Sequence, residues 1–154
     1  MALSEVVRRP VTGSDMQIAY LWRSEHTESR FQQSTLPISW DTHKAWFEKR
    51  VKDSISEPFV AYESEGVVVA FCRLDEVEGL WRLSLTVSPA FRNKGVGYQV
   101  LKDFLTLTRD ELGLSVLHAV IHKDNIPSLK LFQSLGFLPE GASDDDFTIY
   151  ALRE

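Results

Sequence analysis

The chain has 154 residues, 44% hydrophobic and 25% charged, with a formal net charge of −5. Nine Phe, four Trp and four Tyr are too many aromatic residues for a disordered chain, and a single cysteine, Cys72, excludes a disulfide scaffold. No run of about 18 apolar residues is present to span a membrane, and the acid excess disfavours nucleic acid as a partner, because duplex binding needs a basic face.

Glu5 to Arg9 reads as a short strand closed by Pro10. Thr12 or Ser14 can cap a helix that runs to about Ser24. Ser39 is a second cap, opening a helix from Trp40 to about Val51. Pro58 introduces a strand from Phe59 to Tyr62, Glu65-Gly66 is a turn, and Val67 to Leu74 is a buried strand. Trp81 to Val87 alternates apolar and polar residues, which predicts a strand with two different faces. A helix follows Gly95 and Gly97 and is stopped near Leu112 by Gly113. Val116 to Ile121 is a strand. Asn125 caps a helix with Pro127 in its first turn, and Gly136 ends it. Phe137-Leu138 and Phe147 to Leu152 form a last pair of strands around the acidic turn Ser143 to Asp146. The order predicts a mixed α/β (α+β) sheet in one domain spanning 1–154. The first ten residues have no apolar stretch and no cleavage site, and a lone thiol suits a reducing compartment, so the expected location is cytoplasmic.

One segment carries chemistry. Ser88 to Tyr98 joins the alternating strand to a helix N-terminus and holds Arg92, Asn93, Lys94, Gly95, Val96 and Gly97. Glycines let the backbone approach a ligand closely. The first helical N–H groups have no internal partner, and the helix dipole makes that end positive. Arg92 and Lys94 add full charges. Together they predict a pyrophosphate cradle. The spacing is neither a Walker A loop nor a dinucleotide fingerprint, since Val100 stands where the third glycine is needed.

Arg92, Gly95 and Gly97 resemble the Arg-x-x-Gly-x-Gly signature of the GNAT acetyltransferase superfamily, and Val87 and Pro89 match the hydrophobic-x-Pro before it. Asn125, Ser128, Phe132, Gly136 and Phe137 are similar to a second pattern of that superfamily, in the same order. The resemblance implies a mixed, mostly antiparallel sheet with helices on both faces. It implies acetyl-CoA as cosubstrate, no metal, and transfer of an acetyl group to a primary amine. It places backbone groups of Leu85, Thr86 and Val87, and the side chains of Asn125, Ser128 and Phe132, on the pantetheine arm, with Arg92 to Tyr98 on the pyrophosphate.

Two positions depart from the family pattern. Phe132 stands where many relatives carry a proton-donating tyrosine, and Trp81 stands where many carry a glutamate base. Asp75 or Glu76, placed at the end of the neighbouring strand, is then a candidate base, and Ser84 can orient a water.

The acceptor side falls to the first two helices. Trp22-Arg23, Ile38-Ser39 and His43-x-x-Trp46-Phe47 resemble acetyltransferases of nonulosonic acid biosynthesis, which act on a nucleotide-linked amino sugar. That resemblance nominates Trp22, Arg23 and His43 for the substrate, with Arg23 or Arg30 facing a diphosphate. N-terminal (ribosomal-protein-type) acetylation, a small-amine acceptor and a non-catalytic acetyl-CoA-binding module are the alternatives. A monomer or a homodimer is expected.

Overall fold

Two Glu-Gly turns organise the N-terminal part of the sheet in the computed structural model, which describes residues 5–24 and 38–153. The chain opens with strand β1 (Val7–Pro10), a 3-10 turn (Gly13–Asp15), helix α1 (Met16–Ser24) and helix α2 (Trp40–Lys52). Strand β2 (Phe59–Ser64) then turns through Glu65-Gly66 into β3 (Val67–Val77), which turns through Glu78-Gly79 into β4 (Leu80–Val87). In both turns both residues have positive φ, 53° and 79° in the first and 52° and 80° in the second. Such two-residue turns follow the right-handed twist of a hairpin. Helix α3 (Val96–Asp110), β5 (Val116–His122), helix α4 (Ile126–Ser134), β6 (Leu138–Ala142) and β7 (Phe147–Arg153) complete the order.

The seven strands form one sheet in the order β1-β2-β3-β4-β5-β7-β6. All neighbours are antiparallel except β4 and β5. The helices cover both faces, as the resemblance implied. One face carries Tyr62, Cys72, Leu74 and Leu83 and packs on Val96, Val100, Leu101 and Phe104 of α3 and Phe132 of α4. The other carries Phe59, Ala61 and Phe71 and packs on Trp22 of α1 and Phe47 of α2.

One boundary differs in a way that matters for chemistry. β3 does not stop at Leu74 but runs to Val77, so Asp75 and Glu76 lie inside the hairpin, opposite Arg82 and Trp81. The reason is the Glu78-Gly79 turn, which sets where the hairpin reverses and carries the charged pair along as strand. No helix of the described residues is long and apolar enough to cross a membrane.

Candidate active site

β4 and β5 are paired in register at Arg82 and His118. Past that pair the parallel strands separate. Leu83 to Thr86 then line one side of a cavity of about 380 Å³, and Ala119 to His122 line the other. Strand edges that part in this way leave ladder N–H and C=O groups in need of partners. An extended, amide-bearing ligand can supply them as an added strand. Asn125, Ser128 and Phe132 of α4 close one end of the cavity, and Arg23, His43 and Trp46 of the first two helices line its opposite part.

The alternation in β4 decides which groups reach the cavity. Ser84 lies opposite Arg73, and Thr86 opposite Phe71, on the α1–α2 face. Leu83, Leu85 and Val87 pack in the core beneath α3 and α4. Leu85 reaches the cavity lining, and Val87 lies outside it.

The Arg92–Tyr98 loop follows β4 and lies outside the cavity lining. Gly95 is the N-cap of α3 at φ 77°, and no side chain caps the helix. Asn93 is also left-handed, at φ 61°. The two glycines act differently. A Cβ on Gly95 would meet nothing within 4 Å, so its glycine serves the backbone turn and keeps the helix end open. A Cβ on Gly97 would stand 3.0 Å from Leu131 Cδ2, with Val87 and Leu85 at 3.8 and 3.9 Å, so its absence lets α3 sit close to β4 and α4. Val96 is buried in the core and offers a ligand its backbone alone. Arg92 is half-buried, and Asn93, Lys94 and Tyr98 are exposed. The Lys94 ammonium lies 5.6 Å from the Phe91 ring centre.

Asn125 caps α4, its Oδ1 accepting from the Ser128 N–H at 3.4 Å. Phe132 is 4% exposed and meets Phe137 edge to face, ring centres 5.0 Å apart.

The nominated carboxylates sit apart from the cavity lining. Asp75 accepts from Arg50 Nε at 2.7 Å and Arg73 Nε at 2.8 Å. Arg50 is buried and also donates to the carbonyls of Glu57, Pro58 and Leu74. Asp75 thus anchors two guanidiniums. Glu76 is exposed on the opposite face, and its N–H donates to Glu57 Oε1. Ser84 does line the cavity.

Of the acceptor nominations, Arg23 and His43 line the cavity and Trp22 does not. Trp22 belongs to the smaller core, its ring 5.1 Å from that of Phe71. Its position on α1 faces the sheet, and an apolar indole there is packing first. Arg30 lies outside the described residues. His43 is 1% exposed and its Nε2 donates to the Met16 carbonyl at 3.1 Å. Burial pushes its pKa below the ordinary value, as does the nearby Arg23 cation, while the Met16 hydrogen bond opposes them.

Sequence reasoning missed Arg73, Arg82 and His122, all of which line the cavity. The β3–β4 register was the signal for Arg73, since it follows from knowing that Ser84 faces the site. Arg23 and Arg73 both rest against Trp46, each guanidinium carbon 5.1 Å from the ring centre. Among the described residues the lining holds three arginines and two histidines and no carboxylate. No group of three or more His, Cys, Asp or Glu able to hold a metal occurs among them.

Residues 6–138 match the acetyltransferase (GNAT) domain family. The chain belongs to the GNAT family. This acetyltransferase is 22% identical over 127 residues to acetyltransferase PseH of Campylobacter jejuni, covering 82% of this chain and 79% of that protein. It is 30% identical over 122 residues to the L-methionine sulfoximine/L-methionine sulfone acetyltransferase of Salmonella typhimurium, covering 73% and 66%. Its fold superposes on yncA of Salmonella typhimurium, solved with its cofactor acetyl-CoA, with a TM-score of 0.74, 22% identity and coverage of 96% and 93%. The acetyltransferase takes acetyl-CoA as its acyl donor and an amine as acceptor.

Proposed function

We propose that acetyl-CoA lies in the opening between β4 and β5 and that a primary amine reaches it from the α1–α2 side. The observation that carries this reading is the parting of the two strands beside an uncapped helix N-terminus. The first supplies ladder groups for pantetheine, and the second supplies N–H groups and a positive dipole end for pyrophosphate. Backbone groups of Leu85, Thr86 and Val87 bind the arm and orient the thioester carbonyl. Asn125 and Ser128 hold the arm from α4, and Arg92 to Tyr98 take the phosphates.

In the transfer, the amine nitrogen forms a bond to the acetyl carbon and the carbon–sulfur bond breaks. The ammonium loses one proton before it attacks, the adduct nitrogen loses a second to water as the carbon–sulfur bond breaks, and the thiolate takes one up. Phe132 has no proton to give, so the thiolate is protonated from solvent. Asp75 is engaged by Arg50 and Arg73 and Glu76 faces away, so proton removal passes through water oriented by Ser84. The acceptor we favour is an amino group on a nucleotide-linked amino sugar, supported by the Trp22-Arg23 and His43-to-Phe47 resemblance and by the arginines of the cavity.

The test is thiol release from acetyl-CoA across an amine panel that includes nucleotide-linked amino sugars. Amine-dependent release with an acetylated product is expected. Release that no amine accelerates would leave a binding module and sink the reading.

A further inference from the structure

We infer that the cavity binds its acceptor as the neutral amine, and that the charge of Arg73 lowers the basicity of the bound amine in place of a general base. The inference rests on the reading that the amine enters from the α1–α2 side.

Arg73 lines the cavity and lies opposite Ser84 in the β3–β4 register. Its guanidinium carbon is 5.1 Å from the Trp46 ring centre, and its Nε donates to Asp75 at 2.8 Å. It is thus held in place by two neighbours. Asp75 does not cancel its charge, because the same carboxylate also accepts from Arg50 Nε at 2.7 Å. Two guanidiniums against one carboxylate leave one positive charge in excess at this wall. Asp75 itself lies outside the lining, and no Asp or Glu occurs among the described lining residues. The Trp46 ring, which would otherwise attract an ammonium, is engaged by the Arg73 guanidinium instead.

Two titratable groups of the same lining already feel this environment. Burial, and after it the Arg73 charge, holds the Arg23 guanidinium below its ordinary pKa. Burial does the same to His43, and the Arg23 cation acts in the same direction against the Met16 hydrogen bond. An ammonium brought into the cavity meets the same two effects, loss of water and a like charge, and both favour its neutral form. Amines are activated in this way when they are desolvated or set beside a cation. The charged and titratable groups around the amine are Arg23 of α1, His43 of α2, Arg73 of β3 with its partner Asp75, Arg82 of β4 and His122 of β5. The step balances without a protein base. The ammonium gives one proton to water beside Ser84, and the neutral nitrogen bonds to the acetyl carbon. A second proton leaves for water as the carbon–sulfur bond breaks, and the thiolate takes one up. A weakly basic amine, such as one flanked by hydroxyl groups, suits this wall better than a strongly basic one.

The experiment follows single-turnover acetyl transfer against pH in the acetyl-CoA-loaded protein, at saturating amine. Glucosamine, cyclohexylamine and a nucleotide-linked amino sugar are the acceptors. The acidic limb is expected about one unit or more below the pKa of the free amine. Arg73→Gln should raise that limb by about half a unit or more, and Arg73→Lys, which keeps the charge, should retain most of the displacement. A merely structural role would lower the rate and leave the limb where it is in the wild type, which would overturn the inference. Calorimetry of amine binding to the CoA-bound protein, in two buffers of different ionisation enthalpy, gives a readout without turnover. Proton release on binding below the free amine's pKa is expected, and its absence overturns the inference. If Arg73→Gln does not fold, the wild-type limb, the Arg73→Lys limb and the proton release decide. Acetylation with the limb at or above the free amine's pKa overturns this inference alone and leaves the transfer reading standing. Acetylation of no amine overturns the transfer reading, and this inference with it.

Discussion

Arg82 of β4 lies in register with His118 of β5, and past this pair the two strands no longer form a ladder. The cavity begins there, with Ser84 and Thr86 on one wall and Val120 and His122 on the other. The proposed placement of acetyl-CoA depends on that separation.

Gly95 and Gly97 should fail in different assays. Gly95→Glu puts a negative charge at the open end of α3 on a backbone of φ 77°. Its acetyl-CoA dissociation constant should rise at least tenfold, about 1.4 kcal/mol. Unchanged affinity by calorimetry would reject the cradle. Gly97→Val drives side-chain atoms into Leu131, already 3.0 Å from the first added carbon. Overpacking of that kind costs about 1–3 kcal/mol, so thermal unfolding should show it directly.

Phe132 separates packing from proton supply. It is buried and touches Phe137. Phe132→Ala should destabilise by about 3–5 kcal/mol through lost contacts. Phe132→Tyr should alter turnover less than tenfold, because a thiol with pKa near 8.5 leaves without a strong acid. A hundredfold gain on adding the hydroxyl would show that thiolate protonation limits the wild-type rate.

Asp75 is expected to act on stability and on the arginines, not as the base. Asp75→Asn strips the counter-charge from buried Arg50, which is 5% exposed at its side chain. Leaving one buried partner uncompensated costs about 3–5 kcal/mol, here reduced because Asp75 itself is 26% exposed. Glu76→Gln should be close to wild type in rate. The pH–rate profile decides the matter. Loss of the acidic limb in either variant, with a rate fall of about a hundredfold, would reinstate that carboxylate as base.

His43 predicts an acid-sensitive fold. Its imidazole titrates below the ordinary value near 6.5 because it is buried. As pH falls through 6.5 the unfolded chain takes the proton and the native ring does not, so stability drops across that window. Thermal melts at pH 7.5 and 5.5 should show a fall that is smaller in His43→Phe, which keeps the ring among Tyr20, Trp40, Trp46 and Phe47. An equal fall in both proteins would assign the sensitivity elsewhere.

Much of this fold was legible because its signals are local. Ser39 accepts from the Thr42 N–H as a helix cap, Asn125 caps α4, and the alternation from Trp81 to Val87 did mark a two-faced strand. The open N-terminus of α3 was equally legible, because Gly95 stands just before the helix. The engagement of Asp75 was not legible, because its partner Arg50 is distant in sequence and no local pattern marks such a pairing. The grouping of arginines on Trp46 was hidden for the same reason. Arg23, Trp46 and Arg73 come from three elements, and only the register of β3 against β4 and the packing of α1 and α2 bring them together.

The single register pair between β4 and β5 also has a mechanical meaning. It divides the sheet into two leaves, β1 to β4 and β5 with β7 and β6, that share one short seam. A ligand laid as an extra strand in the gap stitches the leaves along the length where they part. On the proposed placement, the acyl donor is expected to stiffen the enzyme that uses it, and loss of CoA to free the two leaves again. Amide exchange at Leu85 to Val87 and Ala119 to Ile121 is where that stiffening would be felt.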